Sequence, residues 1–63
     1  MKHAASQFSH GEALIVILPQ AGQYSPKVLA GTCVGHDSSN THVLVQFEDE
    51  TYETAFIPIS QIQ

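Results

Sequence analysis

Sixty-three residues fit one domain, and at this length folding withdraws only about 60% of the extended chain's surface from water. Apolar residues make up 43% of the chain, and two lysines with no arginine stand against six carboxylates, for a net charge of −4. That balance disfavours direct nucleic-acid binding, which draws much of its affinity from Lys and Arg displacing phosphate counterions. The longest apolar run, Ala13 to Leu18, also falls far short of the roughly 20 residues that a membrane helix needs.

A chain this small usually depends on a staple or a partner. Cys33 is the single cysteine, so no disulfide can form within the chain. A lone cysteine fits a reducing compartment, and "MKHAASQF" carries no run comparable to a secretory signal, so the expected location is the cytoplasm. With 43% apolar residues available for a subunit interface, self-association into a homo-oligomer is the first structural expectation.

In chain order, residues 1–10 read as an N-terminal arm and 11–63 as the folded domain. "HAASQF" offers one helical turn, too short to hold alone, with Phe8 as its anchor. Gly11 and Glu12 lead into a first strand, Ala13 to Leu18, where β-branched residues are enriched and both faces are apolar. "PQAGQYSP" then reads as a long loop, because Pro19 removes a backbone donor and Gly22 loosens the path. Tyr24 within it is either a lid over one end of the core or an exposed binding aromatic. A second strand is expected over Val28 to Val34, with Gly31 marking a bend or a close backbone approach. Gly35, Asp37, Ser38, Ser39 and Asn40 supply hairpin-turn chemistry.

The third strand alternates, placing Val43, Val45 and Phe47 on one face and His42, Leu44 and Gln46 on the other. Leu44 interrupts that polar side and is a candidate interface residue. Glu48, Asp49, Glu50 and Thr51 form the next turn, followed by a fourth strand expected over Tyr52 to Ile57. Pro58 cannot donate to a central ladder, so "PISQI" reads as a short 3-10 turn that returns Ile59 and Ile62 to the core. Val16, Val45, Phe47, Phe56, Ile59 and Ile62 are the expected core. Four to five short antiparallel strands with almost no helix favour a mainly β fold closed into a small barrel, since closure removes exposed edges.

The order of elements resembles the SH3-like small barrels, including Tudor-type and KOW-type modules. "VLVQFEDETYETAFIPISQI" is similar to the Tudor-type sequence of strand, acidic turn, strand and proline-containing closure. "AGTCVGH" followed by "THVLVQF" resembles the glycine-bearing strand pair of KOW-like modules. The resemblance spans about Gly11 to Gln63 and implies an architecture rather than an activity. The chain departs from methyl-lysine-binding Tudor modules in having no assignable aromatic cage, a device that works by cation–π attraction. It is also less basic than KOW modules usually are.

No cofactor, metal or catalytic constellation is expected. Cys33 and His36 have the spacing of a zinc half-site, and His42 lies across the hairpin, but zinc asks for about four converging ligands and no second ligand pair is present. A Cys33–His36 nucleophile pair lacks an orienting third group and an oxyanion hole. No glycine-rich phosphate loop or dinucleotide fingerprint occurs. The expected function is therefore a non-catalytic protein-interaction or accessory module. Tyr24, Glu48, Asp49, Glu50 and Tyr52 form its recognition end, the tyrosines giving contact area and the carboxylates steering a protein partner with a basic surface. The alternative is a nucleic-acid-associated KOW-like factor acting within a larger complex.

Overall fold

In a computed structural model the described residues are 2–19 and 25–63. Their strands are β1 (Ala13–Leu18), β2 (Lys27–His36), β3 (His42–Phe47) and β4 (Ala55–Pro58). All pair antiparallel in the order β1-β2-β3-β4, a simple meander. Two 3-10 turns, Ala5–Gln7 and Ile59–Gln61, flank the sheet. The expected mainly β fold, with its C-terminal 3-10 turn, is the fold formed. No helix among the described residues is long and apolar enough to cross a membrane.

Closure into a barrel does not occur. The chain does return to the first strand after the C-terminal turn, but through a single bridge between Val16 and Ile62 and one bond from the Gln63 N–H to the Ile15 carbonyl at 2.9 Å. Pro58 ends β4 after four residues, and after the 3-10 turn it is these two contacts and not a ladder that reach β1 among the described residues. The seam between β1 and the C-terminal segment therefore stays open.

The register sorts the side chains. Leu14, Val16, Leu29, Cys33, Val43, Val45, Phe47 and Ile57 project to one face and, with Ala5, form the buried cluster. Val16 is a core residue as expected, Val45 and Phe47 are core residues as the alternation predicts, and Ile59 and Ile62 pack against the cluster as partly buried residues. Phe56 is not core: it is 53% exposed. The expected strand over Tyr52 to Ile57 begins only at Ala55, so counting parity from Tyr52 misassigns the face. Ile57 opposes buried Val43, while Phe56 opposes Leu44 on the other side of the sheet. A one-residue parity error flips a whole strand.

Two bulges shape β2. The register shifts between Cys33 and Gly35, leaving Val34 as the extra residue and carrying the strand on to His36, two residues beyond its expected end. At the entry to β1, Gly11 takes a φ of 89°. Its N–H donates to the Cys33 carbonyl at 2.7 Å, and the Cys33 N–H donates to the Glu12 carbonyl at 2.9 Å, so two residues oppose one. That is the glycine-dependent form of bulge. Gly31 fulfils the expected close approach: a Cβ there would stand 2.6 Å from Val45 Cγ1 and 3.0 Å from the Gln46 carbonyl oxygen.

The N-terminal arm is tied to the β2–β3 hairpin. Asn40, at φ 62°, presents both its oxygens to the arm: Ala5 N–H donates to its carbonyl at 3.0 Å and Ser6 N–H to its Oδ1 at 2.6 Å. Ala5 is thereby fully buried, and Phe8 packs against the core as its anchor. Within the hairpin, Asp37 Oδ1 accepts from the Thr41 and His42 N–H groups at 2.9 and 3.0 Å, so the carboxylate holds the turn closed.

Candidate protein-interaction surface

The turn between β3 and β4 brings Glu48, Asp49 and Glu50 together at one end of the sheet, all three exposed. They differ in what they are free to do. Asp49 Oδ1 accepts from the Thr51 N–H at 3.0 Å and from Thr51 Oγ1 at 2.7 Å, and the Tyr52 N–H donates to the Asp49 carbonyl at 3.1 Å. These bonds hold the Asp49 carboxyl below the usual range, the Thr51 N–H first, with the Lys27 charge a smaller contribution. Asp49 thus builds the turn. Glu48 and Glu50 are in neither a side-chain hydrogen bond nor an ion pair among the described residues.

Tyr52 is half-buried and packs against the core, with its ring tilted 56° to that of Phe47 and the centroids 5.9 Å apart. Lys27 Nζ sits over the Tyr52 ring, 5.6 Å from its centroid. The Tyr52 hydroxyl is the chief cause that raises the pKa of this ammonium, with the Asp49 charge a lesser one. Tyr52 therefore props up the turn from inside, and its exposed face already has a cation. Tyr24, also expected at this end, lies outside the described residues.

Lys27 is the residue that sequence reasoning missed here. It stands 25 positions from Tyr52 in sequence, and only the β1–β2–β3 register brings it to this end, so no local pattern announces it. The other lysine is likewise engaged. Lys2 forms an ion pair with Glu12 and lies over the Phe8 ring, 4.4 Å from its centroid. The pair and a bond from the Ser9 N–H lower the Glu12 pKa, Lys2 being the larger cause.

The remaining candidate chemistry is dispersed. Cys33 is buried, with its Sγ 3.6 Å from the Gly35 carbonyl, whereas His36 is exposed. His42 turns its Nδ1 to Asp37 Oδ2 at 3.4 Å and Thr41 Oγ1 at 2.8 Å. Among the described residues no three His, Cys, Asp or Glu side chains gather as a metal-binding group. A groove of about 910 Å³ opens along the unclosed seam, lined by Lys2, Phe8, Leu14, Ile59 and Ile62 among others. Its lysine is the one already paired with Glu12. No protein-family model, curated protein or solved structure matches this chain.

Proposed function

We propose that this protein is a non-catalytic interaction module that self-associates and presents its acidic β3–β4 turn to a protein with a basic surface. The observation that carries this reading is the division of charge. Glu48 and Glu50 stand exposed and unpartnered among the described residues, while Lys2 and Lys27 are folded back onto the chain's own Glu12, Phe8 and Tyr52. Carboxylates held at one end by a rigid turn accelerate encounter with a cationic surface and suppress encounter with anionic ones. Asp49 and Tyr52 act in this reading as the frame that fixes the turn, and Glu48 and Glu50 as the groups offered to the partner.

The test is co-purification of the tagged protein from native extract, with bound protein and RNA identified in parallel samples with and without nuclease. A reproducible protein partner that survives nuclease, and whose recovery at low salt falls with Glu48→Gln and Glu50→Gln, is the expected result. A salt-sensitive RNA complex with no reproducible protein partner overturns the proposal in favour of a KOW-like, nucleic-acid-associated role.

A further inference from the structure

The sheet face opposite the core is the largest feature that the acidic turn leaves unused. Directly opposed residues share a face, so the register assigns to it Ile15 and Ile17 of β1, Val28 and Ala30 of β2, Leu44 of β3 and Phe56 of β4, with polar Thr32 and Gln46 between the two apolar groups. Val28 is 61% exposed, Phe56 53% and Ile15 39%, the large apolar side chains that stand out to water. No Asp, Glu, Lys or Arg occupies any strand position on this face; its one titratable strand residue is His42, at the hairpin end opposite Pro58 and paired with Asp37 at 3.4 Å. All six carboxylates lie between or before the strands, and Lys27 falls on the core side opposite Leu18. Edge and outer strands of monomers normally carry charges that discourage association. Here they are missing.

We infer that this uncharged outer face is the self-association surface and that its occupant is the same face of a second copy. This rests on the self-association part of the proposed function and names where it happens. Charge selects the occupant. Two chains of net charge −4 repel one another wherever their turns meet, and the outer face is where they can approach without opposing carboxylates. A basic partner, by contrast, gains nothing from an uncharged face and is drawn to the turns. The core supplies the motive: among the described residues its buried cluster is nine residues with Phe47 as the one aromatic, so further apolar burial adds substantially to a thin interior.

Area sets the strength. Strand spacing and rise give the face a footprint of roughly 15 by 20 Å, well below the ~800 Å² per partner of a standard interface. The assembly is therefore expected to be a weak, transient dimer that forms from the high-micromolar range upward.

Sedimentation of the full chain across that range tests the inference. The wild type is expected to pass from 6.8 kDa at low concentration to twice that mass at high concentration. Val28→Glu with Phe56→Glu, both at exposed positions, is expected to remain monomeric throughout, while Glu48→Gln with Glu50→Gln associates at least as well as the wild type. Loss of association only in the turn variant, or no effect of either pair, overturns the assignment of the face. A wild type monomeric at every concentration overturns self-association itself and leaves the acidic-turn proposal standing. Thermal melting by circular dichroism checks that the Val28/Phe56 variant folds. If it does not, the Ile15 and Val28 methyl signals of the wild type decide the matter: concentration-dependent broadening confined to them supports the face, and uniform or absent broadening contradicts it.

Discussion

Asp37 and Asp49 carry the turns, and both are held below the ordinary carboxylate range by hydrogen bonds from the backbone they close. For Asp37 the His42 N–H is the larger cause and the Thr41 N–H follows; for Asp49 the Thr51 N–H leads. A depressed pKa in the folded state means stabilisation that is complete above the unfolded value, about 3.9, and lost as pH falls through the lower folded values. The melting temperature should therefore hold steady down to about pH 4 and drop below it. Asp37→Asn with Asp49→Asn should flatten that drop, as thermal melts at a series of pH values will reveal; an unchanged profile would mean that these two carboxylates do not staple the turns. Gly31 offers a second test at this scale. Gly31→Ala drives a methyl against Val45, which is fully buried and cannot swing away, at a cost of about 1–3 kcal/mol by denaturant melting. The penalty should shrink in a Val45→Ala background and not vanish, since the Gln46 carbonyl oxygen remains 3.0 Å away.

The elements were readable where pattern and turn chemistry agreed. β1 and β3 fall within the bounds that alternation and β-branching predict, and the proline-containing closure is a 3-10 turn, because each of these is dictated over a few neighbouring residues. β4 starts three residues later than the pattern predicts because Tyr52 imitates a strand residue: an aromatic next to Glu53 and Thr54 suits extended chain, yet it belongs to the turn and packs on Phe47 from there. The bulges at Gly11 and Val34 depend on which residue lies across the sheet, so the sequence gives no local sign of them. The arm's mooring is equally non-local, joining Ser6 to Asn40 across 34 positions. Asn40→Gly keeps the left-handed backbone that the turn needs and removes the Oδ1 acceptor. Hydrogen exchange at the Ser6 amide should then accelerate, while the Thr41 and His42 amides bound to Asp37 stay protected. Equal acceleration at all three would mean that the arm and the hairpin open as one unit.

At the scale of the whole molecule, charge and apolar surface are separated. Carboxylates occupy the connections, the sheet's outer face carries none, and both lysines are engaged by the chain itself. The acidic turn was legible as a turn because three consecutive carboxylates suit solvent-facing chain. Which of them remain free was not, since that depends on Thr51 capping Asp49 and on Lys27 arriving from another strand. In the proposed reading the two surfaces have different tasks, one for a second copy and one for a basic partner, and that reading predicts that they can be disabled separately. The most direct test is the association rate of the co-purified protein partner with the wild type and with Glu48→Gln, Glu50→Gln, followed by surface-binding kinetics at low and at physiological salt. Steering by those two carboxylates predicts slower association for the variant at low salt, little change in dissociation, and a difference that narrows as salt rises. An association rate at low salt unchanged by the two substitutions would contradict it and remove the acidic turn from the binding surface.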